Sequence, residues 1–413
     1  MEVNRRQFVE AAAGAAFLAR RAAAGAADDD PLGVRKDFPA LEEQTFLNTA
    51  YIGLIPQAVV DAGRDWLEAR QRRTYNVQQM LEKTDEARRR FASLVGAGED
   101  EIGFLFSTTE GENVVVRSLD FRPGDNVVVD DLVYPSTPVI HRRLEEESGV
   151  EMRMVRHRKG ATAIQDFAEL VDDRTRLVSV ALVSNISGFR QDLKSLSDLA
   201  HAHGAYLYTD AVQAVGMGPL DVRALGIDFL TTGCYKWIMA GFGVAPFYVR
   251  RELLDRIRPV NVGWQVANRL PGYQYEHHKT AKKFEYSSLA FGEIYQLSAA
   301  LQYLSNVGLE PIETHSLALA ARLRQGLTER GFRILTPEGN RSSILSFYIR
   351  TEAPDAEKTL EEARVKVSLQ NGDRTEAYGG SGPVTRVRAS LSYFNNFADV
   401  DRLLEVSEKL GVG

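Results

Sequence analysis

The sequence predicts an α/β fold, a mainly parallel seven-stranded sheet wrapped by helices, followed by a smaller α+β domain. Three observations predict it. Helix-periodic and strand-like segments alternate from about residue 55 onward. Several of the strand-like runs are almost uniformly apolar, as expected of strands covered on both faces. After a long helical stretch over 292–330 the pattern changes to strand, helix, strand, Gly-rich loop, strand and helix.

Taken in order, PQAVVDAGRDWLEARQ (56–71) and the segment around EKTDEARRRFASLV (82–95) repeat apolar residues with helical spacing. IGFLFS (102–107), NVVVD (126–130), EMRMV (151–155), LVSVALV (177–183), AYLYTD (205–210), DFLTT (228–232) and VAPFYV (244–249) read as short strands. The smaller unit comprises ILSFYI (344–349), the helix DAEKTLEEA (355–363), VKVSL (365–369), a loop over 373–383, TRVRASLSY (385–393) and a final helix ADVDRLLEVSEKL (398–410). These segments divide the chain into an extension (1–27), an N-terminal arm (28–60), a large domain (61–300) and a small C-terminal domain (301–413).

With 413 residues, 44% of them hydrophobic, the chain can bury a large core. Its net charge of -6 offers no basic excess for nucleic acid, and the arginine run at 88–90 is the solvated side of a helix. A single cysteine, Cys234, excludes an intrachain disulfide and argues against a cysteine-rich metal site. His201 and His203, and the adjacent His277 and His278, lack zincin spacing, so no metal site is expected. The stretch NRRQFVEAAAGAAFLARRAAAGAA resembles a twin-arginine export signal through Arg5 and Arg6, although Glu10, Arg20 and Arg21 interrupt its apolar region. It reads either as a signal for export to the periplasm or as a disordered or helical extension of a cytoplasmic protein. No later segment has the ~20 apolar residues of a membrane helix, so no stable membrane insertion is expected.

In open parallel sheets ligands sit beyond the carboxyl ends of the strands, which singles out the residues that close each apolar run. In TTGCYKWIMAGFG (231–243), Lys236 stands between Tyr235 and Trp237, between two strand-like stretches. It reads either as a desolvated, nucleophilic amine or as a lysine whose stem lies on apolar surface with its head in water. Asp210 closes AYLYTD, 26 residues earlier, with Gln213 three residues on. Such a carboxylate either holds a pyridine nitrogen protonated, as a pyridoxal phosphate enzyme requires, or caps the next helix. Ser107, Thr108, Thr109 and Gly111 form either a phosphate cradle or an ordinary helix N-terminus with Glu110 or Glu112 in its first turn. Tyr134 offers an aromatic face to a flat ring or packs, and Asn185 donates to a ring oxygen or shapes a turn.

The order of these residues, each closing a successive strand, resembles the class V aminotransferases, pyridoxal phosphate enzymes of fold type I. Cysteine desulfurases, isopenicillin N epimerase and kynureninase belong to that family. The resemblance runs from FLNTAYIGLIP (46–56) to VRASLSYFNNFADVDRLLEV (387–406). It implies that Lys236 forms the internal aldimine and moves protons at the α carbon, that Asp210 pairs with the pyridine nitrogen, and that Gln213 and Asn185 approach the ring hydroxyl. It places Tyr134 at the stacking position, Thr108 and Thr109 at the phosphate, and Tyr235 beside the cofactor. Ser288 would cross a dimer interface to the partner's phosphate, so a homodimer with shared sites is implied. Asn48 and Arg388 would bind the substrate, Arg388 by clamping its carboxylate with a planar fork. Without the resemblance, Arg386 and Arg388 lie on one face of a strand that solvent could equally occupy.

The pattern also departs from the family. The loop NGDRTEAYGGSGPVT contains no cysteine, and Cys234 falls on the wrong side of the cofactor, so persulfide-forming desulfurase chemistry is expected to be excluded. Gly233, Cys234 and Tyr235 replace the usual residues before the lysine; Thr232 is a substitute for the missing serine contact to phosphate. Gln370 stands where many relatives have a second arginine, with Arg374 a stand-in. The expected activity is therefore a pyridoxal phosphate reaction on an amino acid or an amino-acid-containing metabolite, with transamination favoured over epimerisation or a lyase outcome. A non-catalytic scaffold on the same fold is the alternative.

Overall fold

The computed structural model describes residues 30–74, 76–263, 267–371 and 385–413. The twin-arginine stretch, Arg374 and the Gly-rich loop lie outside the described residues. The arm contributes β1 (Thr45–Phe46) and leads, after Pro56, into α1 (Gln57–Arg72). Next come α2 (Val77–Val95), capped by the Asn76 side chain on Gln78 N, β2 (Ile102–Leu105) and α3 (Thr108–Ser118), capped by Ser107. The large domain continues with β3 (Asn126–Asp130), α4 (Ser136–Ser148), β4 (Glu151–Val155), α5 (Ile164–Ala168), β5 (Thr175–Ala181), α6 (Leu193–Ala202), β6 (Tyr206–Asp210), β7 (Phe229–Thr231) and β8 (Ala245–Val249). A hairpin of β9 (Ala267–Arg269) and β10 (Tyr275–His277) follows, and then α7 (Phe291–Val307) and α8 (Leu309–Glu329). The small domain adds β11 (Ile344–Ile349), α9 (Ala353–Glu362), β12 (Val365–Lys366), β13 (Ser368–Asn371), β14 (Thr385–Ser390) and α10 (Phe397–Leu410).

The seven predicted strands form one sheet in the order β2-β8-β7-β6-β5-β3-β4, in which only β8 runs against the rest. Adjacent strand residues enter opposite cores. Val128, Val178 and Leu207 pack with Phe91 of α2 and Leu297 of α7, whereas Val127, Val129 and Leu177 pack with Val114 and Val115 of α3. Each such buried Val or Leu contributes roughly 1.5–3 kcal/mol, so the uniform apolarity of these runs is a direct consequence of covering both faces.

Two elements differ from the sequence expectation. The long helical stretch is two helices, because Gly308 adopts φ 90 and stops α7 with its N–H on Leu304 O, while Pro311 is accommodated in the first turn of α8. VKVSL is split, its first two residues pairing in parallel with β1 and the rest joining the antiparallel sheet β11-β14-β13. The arm is thereby tied to the small domain, where Leu47 joins Leu319, Leu345 and Val387 in a third core.

Candidate active site

The parallel register aligns Ala181 with Asp210 and Asp210 with Thr231, so the carboxyl ends of β5, β6 and β7 open at one level. Lys236 lies in the loop that leaves β7. It is only 7% exposed, and among the described residues its Nζ makes no hydrogen bond or ion pair. Burial lowers its pKa to about 8; the Asp210 charge resists this fall, and the Arg388 charge adds to it. Neighbouring groups fix the loop from three sides. Trp237 Nε1 donates to Gln213 Oε1 (2.8 Å), whose Nε2 donates to Ala50 O (2.9 Å). Gly53 N donates to Tyr235 O (2.9 Å), and a Cβ on Gly53 would stand 2.1 Å from Lys236 O, so only glycine permits this approach. From the small domain, Tyr393 Oη donates to the sulfur of Met239 (3.0 Å), a buried residue held at φ 60.

Lys236 and Asp210 share a cavity of about 260 Å³, closed at one end by Ser107, Thr108 and Thr109. Asp210 is half-buried and lines the cavity. Burial raises its pKa to about 6, against the pull of Val212 N (2.9 Å) and of the Lys236 charge, and Glu112 adds to the rise. The two groups are electrostatically coupled but not in ion-pair contact, which leaves room between them. At the cradle end, Ser107 Oγ accepts from Glu110 N (3.1 Å) and Thr109 Oγ1 donates to Ser136 Oγ (3.3 Å). The N-termini of α3 and α4 thus meet at the same opening, a suitable place for an anion. Tyr134, 50% exposed, lines the wall, and Tyr235 stacks on Phe242 with centroids 4.2 Å apart. Other hollows are larger, among them one of 650 Å³ lined mainly by charged residues and one of 980 Å³ bordered by Trp66, Arg70, Ser288 and Phe291, and neither contains the lysine.

The remaining sequence-predicted residues are placed less uniformly. Arg388 is 3% exposed on β14; its Nη1 donates to Asn185 O (2.9 Å), its Nε has no partner among the described residues, and burial with Arg386 alongside lowers its pKa to about 10. The face of β14 that carries both arginines is therefore buried, not solvated. Asn48 bridges to Ser390 and keeps a buried Oδ1 without a partner among the described residues. Gln213 and Asn185, expected at a ring hydroxyl, are not among the cavity walls; the Gln213 amide is committed to the arm and to Trp237. Thr232 is likewise turned away, its hydroxyl on Gly233 O (3.3 Å). Ser288 is exposed and borders a neighbouring hollow. Gln370 accepts from Arg386 on the adjacent strand.

Sequence reasoning missed Ser136 and Thr137, which follow Tyr134 at the start of α4, and undervalued Glu112 as a first-turn acid. Glu112 lines the cavity floor. The available signal was spacing: Ser136 and Thr137 stand just after an aromatic that closes a strand, as Thr108 and Thr109 follow β2.

Residues 46–403 match the family described as aminotransferase class-V. The chain is 29% identical over 399 residues to a probable cysteine desulfurase of Methanothermobacter thermautotrophicus, spanning 92% of this chain and 98% of that protein. It is 28% identical over 309 residues to the uncharacterized aminotransferase YcbU of Bacillus subtilis, spanning 75% of this chain and 82% of that protein. Among solved structures, the apo cysteine desulfurase from Thermococcus onnurineus NA1 superposes with a TM-score of 0.83 at 26% identity, covering 93% of this chain and 99% of that one. These relatives overturn the expectation that persulfide-forming desulfurase chemistry is excluded. The physical error lay in tying a whole reaction to one thiol in one loop: cleavage of a carbon–sulfur bond does not require the acceptor of the sulfur to belong to the same chain.

Proposed function

Because the chain belongs to the class V aminotransferase family and takes pyridoxal phosphate, we propose that it removes sulfur from cysteine or a cysteine-derived amino acid, the activity in the names of its desulfurase relatives. One observation carries the reading: Lys236 and Asp210 face one cavity across a gap, with the buried Arg388 charge near enough to depress the lysine.

The residues fit the cofactor. A desolvated amine with no hydrogen bond or ion pair among the described residues, a half-buried carboxylate in the same cavity and paired hydroxyls at two helix N-termini match its aldehyde, ring nitrogen and phosphate. When bound, the group supplies an electron sink for the substrate α carbon. Lys236 would hold its aldehyde and, once displaced, move the α proton; near neutral pH a useful fraction of the amine is uncharged because burial disfavours the ammonium. Asp210 would keep the ring nitrogen protonated, Thr108 and Thr109 would hold the phosphate, and Tyr134 would cover the ring. Arg388, with its Nε unpaired, would bind the substrate carboxylate, and the bare Asn48 Oδ1 would accept from its polar groups. Gln213 and Asn185 would act indirectly, through Trp237 and Arg388.

The only thiol, Cys234, is fully buried, and burial raises its pKa further. The acceptor would therefore be a thiol outside the chain: L-cysteine and R–SH become L-alanine and R–S–SH, the Cβ–S bond breaking as an S–S bond forms, with the displaced hydrogen ending on carbon. Exposed Phe106 (70%) and Phe242 (57%) at the cavity mouth, with Ser288 nearby, support a homodimer in which a second copy covers the opening. Sedimentation of the holoenzyme as a monomer would remove the dimer from this reading. The test of function is to incubate cofactor-loaded chain with L-cysteine and dithiothreitol. Alanine and sulfide in equal amounts are expected, absent in Lys236→Ala; cysteine left intact, or consumed without alanine, would refute the proposal.

A further inference from the structure

Beneath the cavity lies a polar cluster that the proposed reaction does not use. Glu112, 3% exposed on α3, accepts hydrogen bonds from Thr137 Oγ1 (2.8 Å) on α4 and Ser179 Oγ (2.7 Å) on β5. It also contacts His141 Nε2 (3.2 Å), from the next turn of α4. His141 is completely buried and its Nδ1 has no partner among the described residues, so its ring is held through the Nε2 contact with Glu112. Two hydroxyls and an imidazole thus converge on one carboxylate from two other elements. The helix lies close against β7: an added Cβ on Gly111 would stand 2.1 Å from Thr231 Oγ1.

Asp210 lines the same cavity with a single donor among the described residues, Val212 N. Of two carboxylates around one small space, the better hydrogen-bonded one stays ionised and the other takes the proton. We propose that Glu112 is a positioning residue: a clamped anion under the cavity floor that reserves the shared proton for Asp210, the group opposite Lys236. The charged and titratable groups around Glu112 are His141 from α4, Tyr208 and Asp210 from β6, Lys236 across the cavity and Glu110 on its own helix, the last turned outward to Phe106 N (2.6 Å). Among them Asp210 is the one that both faces the cavity and lacks a full set of donors. The direction of its shift agrees, since Glu112 raises Asp210. A poised proton at Asp210 is what a ring nitrogen meets on entering the site.

The inference rests on reading the cavity as the pyridoxal phosphate site, but its test uses the cofactor-free full chain, so it stands or falls separately from sulfur removal. Aspartate carboxyl carbons are labelled with carbon-13 and titrated by NMR, with Asp210→Asn identifying the resonance. Wild type is expected to titrate near pH 6. Glu112→Gln, which keeps the shape and removes the charge, should lower the midpoint by at least about half a pH unit. If that variant does not fold, Ser179→Ala withdraws one donor from Glu112, moves the proton toward it and should lower the Asp210 midpoint in the same sense. An unchanged midpoint in the folded variant, with only thermal stability reduced, would make the cluster merely structural and overturn the proposal. A raised midpoint would overturn it as well.

Discussion

The lowered pKa of Lys236 can be tested before any substrate is known. An ordinary lysine with a pKa of 10.5 is uncharged in roughly 0.03% of molecules at pH 7, whereas one at about 8 is uncharged in roughly 9%, a gain of about 300-fold in reactive amine. The rate at which cofactor-free protein captures pyridoxal phosphate, followed by its visible absorbance, should rise with pH and level off near 8. Two substitutions should move that midpoint in opposite directions. Asp210→Asn removes the charge that favours the ammonium and lowers it; Arg388→Gln removes a charge that opposes the ammonium and raises it. Lys236→Ala should abolish capture. The same shift has a sign in stability: between about 8 and 10.5 the unfolded lysine still binds its proton and the folded one does not, so the cofactor-free protein gains stability as pH rises through that window. A capture midpoint near 10.5, or one indifferent to both substitutions, would refute the account of burial opposed by Asp210 and assisted by Arg388.

Three further outcomes are expected. Gly53→Ala should lift the arm off the lysine loop, costing roughly 1–3 kcal/mol and loosening cofactor retention on dialysis, because its Cβ has no room beside Lys236 O. Arg88 is buried, contrary to the solvated side expected of residues 88–90; Glu285→Ala removes its 2.7 Å partner but leaves it Asp85 and Ile102 O, and should destabilise the fold by about 1.5–3 kcal/mol in chemical denaturation, whereas an exposed pair such as Arg64 and Asp61 should change it little. Arg388→Lys keeps the charge and loses the fork, so KM for the amino acid should rise by about tenfold or more with a smaller change in kcat; equal losses in both would place Arg388 elsewhere in the reaction.

Much of this molecule is legible in one dimension. The seven strands of the large sheet are legible with boundaries within about two residues of those observed, most of them because burial on both faces leaves an unbroken apolar run, whereas β4, EMRMV, keeps exposed positions. Lys236, Asp210, Tyr134, Thr108 and Thr109 could be singled out because a parallel sheet brings its carboxyl ends to one place, so closing an apolar run is itself a coordinate in space. The break at Gly308 was less visible, since helical spacing persists on both sides of it.

Composition and periodicity therefore determined the layers, the strand ends and the identity of the groups that meet there. Tertiary structure alone decided that Arg388 is buried, because its side of β14 reaches Asn185 O of the large domain, and that the Gln213 amide is held by Trp237 and Ala50. It also decided that Glu112 meets Ser179, 67 positions away, along with Thr137 and His141. The reason is physical: periodicity and strand termination are local properties of the chain, whereas the orientation of a side chain toward distant partners depends on how α3, α4 and β5 pack, which no short window of sequence contains.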